Sequence, residues 1–172
     1  MIKFFLITST VYFSVLINAS SISFDIFNNA LKKDYSFVER SLSKSDLKIE
    51  SSSGKIILGR NGIIINVLAP FEETYTISDG TLEIHDLFLD QKQMIDLSQT
   101  DNFFLNILIN GIDENADFYS ISQLDESRIQ INSLDGSNEI LFYFIEETLN
   151  LIRYTDSIGV EHAIELKPLW QS

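Results

Sequence analysis

The sequence predicts a single, mainly β domain whose antiparallel sheet curls around a lumen. Three observations carry that expectation. Short β-branched and aromatic runs recur at close spacing with turn residues between them, giving about ten strands. Two brief stretches have helical spacing. Several of the runs are apolar on both faces, where a sheet with one wet face would alternate apolar and polar residues. "GRNGIIINVLAP" (59–70) is the clearest case: Ile63, Ile65 and Val67 point one way, Ile64 and Leu68 the other. "EILFYFIEE" (139–147) behaves likewise through Leu141, Phe142, Phe144 and Ile145. A curled sheet can close one such face on a lumen while the other takes a helix or outside packing. A lumen too large for side chains alone becomes a ligand cavity.

Along the chain, Phe24, Phe27 and Leu31 recur at helical spacing in 21–33, with lysines at its end suiting a helix C-terminus. A strand follows at 35–42. The polar Ser51-Ser52-Ser53-Gly54 reads as a turn or bulge between Leu47 and Leu58. Strand signals then repeat at 63–69, 74–78, 81–86 and 88–96. Ser78-Asp79-Gly80 is a tight-turn signature, because Asp-Gly tolerates the positive φ angles of hairpins. A second short helix follows Thr100, with Asp101 as its cap, Phe104, Leu105, Leu108 and Ile109 on one side, and Gly111 at its end. The last third returns to strands at 118–124, 128–134, 139–146, 148–155 and 160–166, with Pro168 after the last. Two prolines, seven glycines and the absence of any linker-like stretch indicate one domain.

Composition narrows the function. With 172 residues, 45% hydrophobic content and 13 Phe, the chain can build a core and is not disordered. A net charge of −13 without a basic cluster argues against nucleic-acid binding, which needs a positive stripe. It also opposes attraction to an anionic membrane surface. There is no cysteine, hence no disulfide, thiolate metal site, cysteine nucleophile or lipidated cysteine. Lys3, the apolar stretch 4–17 and the small residues Ala19-Ser20-Ser21 have the layout of a secretory signal peptide, residues 1–21, leaving a domain at 22–172. The apolar stretch is shorter than the roughly 20 residues of a membrane span, which favours cleavage over the alternative of an uncleaved N-terminal anchor. Export without cysteines fits a bacterial periplasm.

Catalytic patterns are sparse. His85 has Glu83 and Asp86 nearby, and His162 has Glu161 and Glu165. On a strand Glu83 and His85 share a face while His85 and Asp86 do not, and a metal would need a third ligand from elsewhere. Surface or cross-strand histidines are the commoner outcome. Glu72-Glu73 and Glu146-Glu147 sit at strand ends and read as solvated turns rather than glycosidase pairs. No nucleophile elbow, zincin motif or phosphate-cradling loop occurs. The expectation is therefore no enzyme, no metal and no cofactor.

Taken together, "GRNGIIINVLAPFEETYTISDGTLEIHDLFLDQ" resembles a region of the periplasmic lipoprotein carriers, the LolA-like family. Arg60, Pro70, Ser78-Asp79-Gly80, Leu82 and Asp90-Gln91 carry the resemblance, with "SSGKI" before them and "LIRYTDSIGVEHAIEL" after. Asn61 replaces a usual proline, Asn66 and Glu83 replace aromatics, and His85-Asp86 stands where a Tyr-Asp is usual. The resemblance implies a half-open, strongly curled antiparallel β-barrel of about eleven strands covered by an α-helical lid that encloses a hydrophobic cavity. It implies a monomer that carries lipoprotein acyl chains from the inner to the outer membrane. The partners implied are acylated lipoproteins, an inner-membrane ATP-driven releasing complex and an outer-membrane lipoprotein receptor, with no metal or nucleotide on the carrier.

Burying a CH₂ group gains roughly 0.8 kcal/mol, so about sixteen enclosed carbons would be held by more than ten. Something must compete for the cavity if cargo is to be handed on. The helix faces are natural competitors: Phe24, Phe27 and Leu31 from the first, Phe104, Leu105 and Leu108 from the second. Ile63, Ile65, Leu82, Ile84, Phe142 and Phe144 are the expected wall, although a one-residue register change would exchange Phe142 and Phe144 for Leu141 and Ile145. Arg60 is either a solvated strand-end arginine or, as the resemblance implies, a latch holding the lid shut. Two other readings stand beside the carrier. One is a non-transporting sensor or interaction module of the same curled sheet, binding a lipid, glycolipid or protein. The other is a secreted hydrolase.

Overall fold

The computed structural model describes residues 21–59, 62–99 and 102–169. The expected signal peptide up to residue 20, the Arg60 latch and the Asp101 cap lie outside the described residues. Among the described residues two α-helices, α1 (Phe24–Ala30) and α2 (Phe103–Asn110), accompany eleven strands. The strands are β1 (Tyr35–Ser43), β2 (Lys48–Gly59), β3 (Gly62–Ala69), β4 (Glu73–Ser78), β5 (Thr81–Asp86), β6 (Gln91–Asp96), β7 (Tyr119–Asp125), β8 (Arg128–Ser133), β9 (Glu139–Ile145), β10 (Thr148–Thr155) and β11 (Val160–Pro168). They form one antiparallel sheet in the order β6-β5-β4-β3-β2-β1-β11-β10-β9-β8-β7. The sheet is curled and not closed, because β6 and β7 are edges with no mutual pairing. α2 lies in the chain between those two edge strands, so the connection that spans the open side is a helix with an apolar face.

Local chemistry explains most of the boundaries. Asp79 and Gly80 adopt φ of 49° and 74°, the double positive φ of a two-residue hairpin. Glu146 and Glu147 make the same turn at 47° and 63°. Ser23 caps α1 by accepting from Ile26 N. The cap of α2 is Asn102, whose Oδ1 accepts from Leu105 N at 3.0 Å. Gly111, at φ 71°, closes that helix as expected.

Three sequence expectations change. Ser51-Ser52-Ser53-Gly54 lies inside β2, a strand additional to the ten expected, and is no turn. The bulge alternative holds: the β2–β3 register shifts between Ser53 and Gly54, so that Leu68 is left without an opposite residue. The strand expected from Phe88 begins only at Gln91, because Leu87-Phe88-Leu89-Asp90 forms a turn. There the Asp86 carboxylate accepts from Leu89 N, and Asp90 has φ 50°. Pro168 is the last residue of β11 rather than a residue beyond it.

The core lies on the concave face. Ile63 is 4% exposed and Ile65 and Val67 are half-buried on that side, while Ile64 and Leu68 face outward at 38% and 54%. The outer face is thus left largely to solvent, contrary to the expected outside packing. In β9, Ile140, Phe142 and Phe144 are buried and Ile145 is exposed. α1 seats Phe27 edge-on against Phe142, with ring centroids 4.7 Å apart and planes at 73°. Asn28 ties the helical segments together: its Nδ2 donates to Ile112 O and its Oδ1 accepts from Ile112 N, both at 2.9 Å.

Candidate functional site

A cavity of about 470 Å³ lies between the concave wall and α2. The ladder builds its wall in rows, because directly paired residues point to the same side. Leu58, Ile63, Ile77 and Leu82 form one row across β2 to β5, and Ile56, Ile65, Tyr75 and Ile84 form the next. Phe37, Ile152, Ile164 and Leu166 continue the wall across β1, β10 and β11, and Phe104, Leu105 and Leu108 of α2 face it.

Of the residues expected from sequence, Leu31, Ile65, Leu82, Phe104 and Leu108 line this cavity. Ile63 is on the same face but lines an adjoining crevice beneath α2. Ile84 lies one strand outward from Tyr75 and does not line the cavity. Phe24, Phe27, Phe142 and Phe144 are not part of it either. Phe27 of α1 is packed into β9, so the lumen is divided: the half under α1 is filled with side chains and the half under α2 is open. The expectation that both helices cover one shared cavity is corrected on that point. Only Leu31, just beyond α1, reaches it.

Sequence reasoning missed the polar end of the cavity. Glu39 of β1, Ser52 of β2, Tyr154 of β10, His162 of β11 and Asp156 all line it. His162 lies between two carboxylates, with Nδ1 2.7 Å from Glu39 Oε1 and Nε2 3.4 Å from Asp156 Oδ2. Ser52 Oγ donates to Glu39 Oε2 at 3.1 Å. The imidazole stacks on Tyr154, with centroids 4.6 Å apart at 7°, and Tyr154 stacks on Phe104 of α2 at 4.1 Å and 13°. One continuous stack therefore runs from the polar end to the covering helix. The local neighbours suggested for His162 belong elsewhere: Glu161 pairs with Lys44, and Glu165 with Arg40. The parity of Tyr35, Phe37 and Glu39 was a usable hint that Glu39 faces inward. Its partner, 123 residues away, was not readable without the β1–β11 pairing.

These contacts set the protonation. The Glu39 hydrogen bond raises the His162 pKa above its usual value, against the opposing effect of burial, with Asp156 adding to it. The same bond lowers the Glu39 pKa below its usual value, again against burial. Burial, with Glu39 and Asp156 nearby, raises Tyr154. The linkage signs are opposite for the two partners. A raised histidine stabilises fully below its unfolded value of 6.5 and loses this as pH rises through its folded value. A lowered glutamate stabilises fully above its unfolded value of 4.5 and loses this as pH falls through its folded value. Replacing His162 with glutamine should therefore cost most between pH 4.5 and 6.5. Thermal melts of both proteins across pH check this; a difference that grows at alkaline pH contradicts it.

His162 has both ring nitrogens directed at carboxylates, so it is held as a charge bridge and not aimed at a hydroxyl nucleophile. His85 faces outward, with Nε2 3.1 Å from Asp90 Oδ1, and Glu83 pairs with Lys92. Among the described residues no group of three or more His, Asp or Glu side chains is placed to hold a metal ion. The Glu146-Glu147 pair is the β9–β10 turn, as expected. Glu73 opens β4 and accepts from the Tyr75 hydroxyl.

No protein-family model matches the sequence, and no curated protein does. Solved structures match the fold. One is the LolA superfamily protein NE2245 from Nitrosomonas europaea, at a TM-score of 0.52 and 13% identity, over 89% of this chain and 96% of that one. At that identity the likeness is one of fold: a mostly β chain with a curled, unclosed antiparallel sheet and two helices.

Proposed function

We propose that this chain is a non-catalytic periplasmic carrier that takes the acyl chains of lipoproteins into the cavity under α2 and shuttles them from the inner to the outer membrane. One observation supports the reading above the others. The cavity of about 470 Å³ has aliphatic and aromatic walls on the sheet side and the apolar face of α2 opposite, a volume and lining typical of ligand sites of roughly 300–1,000 Å³. Phe104, Leu105 and Leu108 are positioned to give way to a tail and to replace it on release. Burying them again in the empty protein offsets part of the roughly 0.8 kcal/mol per CH₂ that holds the cargo. Loading would come from an ATP-driven inner-membrane complex and delivery would go to an outer-membrane receptor. The carrier itself would work as a monomer without metal or nucleotide.

The decisive experiment is mass spectrometry of lipids and lipoproteins that co-purify with the chain exported to a bacterial periplasm. Retained acylated lipoproteins are expected. Their absence, where a carrier of known cargo keeps its own, overturns the reading.

That second outcome favours an interaction module of the same curled sheet. Two observations support this alternative. The lumen half under α1 is filled by Phe27, Phe142 and Phe144. Two neighbouring hairpin tips expose Phe71 and Phe88 at 71% and 85%.

A further inference from the structure

The cavity is not apolar throughout, and the register of the sheet decides where it changes. Inward residues of β1 run Tyr35, Phe37, Glu39; the paired residues of β2 run Ile56, Gly54, Ser52. On β11 the inward order is Leu166, Ile164, His162, and on β10 it is Ile152, Tyr154, with Asp156 just beyond. One end of the cavity is therefore aliphatic and aromatic and the other carries two carboxylates and an imidazole. We propose that the cavity is an amphiphile site with a built head pocket, in which Glu39 and Asp156 receive a cationic, hydrogen-bond-donating head such as a primary ammonium while the tail lies along Ile56, Ile65 and Ile152. This rests on the apolar-ligand reading of the same cavity and adds the chemistry of the head.

Charge and hydrogen-bonding capacity both select that head. Glu39 and Asp156 are each negative and His162 contributes at most one positive charge, so the end of the cavity keeps a net negative charge even with the imidazole protonated. Among the described residues no lysine or arginine lines the cavity. An anionic head would meet a net negative charge in a partly desolvated space, where like charges repel more strongly than in water. A carboxylate accepts about four hydrogen bonds and donates none. Glu39 accepts from His162 and Ser52. Asp156 accepts from Ile158 N, Val160 N and His162. Both retain acceptor capacity that an ammonium, with its three donors, can use. The head pocket also adjoins the Tyr154–Phe104 stack, so a bound head would sit beside the contact that holds α2 down.

The test uses the intact domain and displacement of a neutral fluorescent probe, Nile red, by dodecylamine, dodecanol and dodecyl phosphate, each below its micelle concentration, in low salt at neutral pH. The amine should displace the probe at about tenfold lower concentration than the alcohol, and the phosphate at a higher one. Glu39→Gln, and separately Asp156→Asn, should reduce the amine-to-alcohol ratio toward unity. A general loosening of the cavity would not move that ratio. Equal displacement by all three, a preference for the phosphate, or an amine preference that survives both substitutions overturns the head pocket while the apolar cavity stands. A protein that binds neither the probe nor any of the three amphiphiles overturns both.

Discussion

Phe142→Ala is expected to lower folding stability by about 3–5 kcal/mol, the usual cost of truncating a fully buried aromatic. The ring has no exposed surface. In the ladder it lies between Ile129 and Ile152, which are themselves 3% and 2% exposed. Above it sits Phe27, which packs α1 edge-on against the sheet. Truncation therefore opens a void that none of these three neighbours can fill without leaving its own contacts. It also removes the seat of a seven-residue helix, too short to persist without tertiary packing. Urea unfolding followed by circular dichroism measures the effect, with the midpoint falling and the slope unchanged. From sequence, Phe142 and Phe144 were expected to contact lipid, and their replacement to weaken binding directly. The structure moves the expected loss from binding to folding. A variant of near-normal stability with poor affinity for apolar probes would instead mean that the Phe142 ring contacts the ligand.

Gly54→Ala is expected to destabilise by about 2–3 kcal/mol, at the upper end of overpacking. Propensity predicts the opposite sign, since glycine inside a strand is worse than alanine by roughly 0.5–1 kcal/mol. Geometry decides. A Cβ on Gly54 would stand 1.9 Å from Asn66 O and 2.9 Å from Cε1 of Phe37. The carbonyl belongs to the backbone of β3 beside the bulge, so relief requires moving a strand. The Phe37 ring lines the cavity, so displacing it also reshapes the proposed binding wall. Thermal unfolding should show the loss, and Nile red affinity should fall with it. Equal or higher stability would mean that the β2–β3 bulge yields more easily than its contacts imply.

Much of this fold was legible along the chain. Asp79-Gly80 marked a hairpin, Gly111 marked a helix end, and the boundaries of β5 and β10 matched their β-branched runs, because each depends on φ preferences of a few adjacent residues. β2 was hidden by its three serines. It exists as a strand because it pairs on both sides, with β1 and β3, and two ladders override weak local propensity. The site was legible in part. α2 showed its apolar face through 3.6-residue periodicity, and Phe104 and Leu108 do line the cavity. The facing of Ile63, Phe142 and Phe144 was open in the sequence; the structure turns all three inward but outside the cavity.

That difference separates what the sequence determined by itself from what only the tertiary structure decided. Local steric preference and the spacing of apolar runs indicated a β-rich chain, most of its strands and two short amphipathic helices, and the runs apolar on both faces indicated a curled sheet, but the choice of inward face was left open. These elements follow from residues within one turn or one hairpin of each other. Tertiary structure alone decided which half of the lumen stays open. That depends on where α1 lands, and Phe27 meets Phe142 across more than a hundred residues of chain. It also decided that Glu39, Asp156 and His162 meet at one end of the cavity. The β1–β11 pairing joins the first strand to the last, and no pattern within either strand encodes the charge on the other.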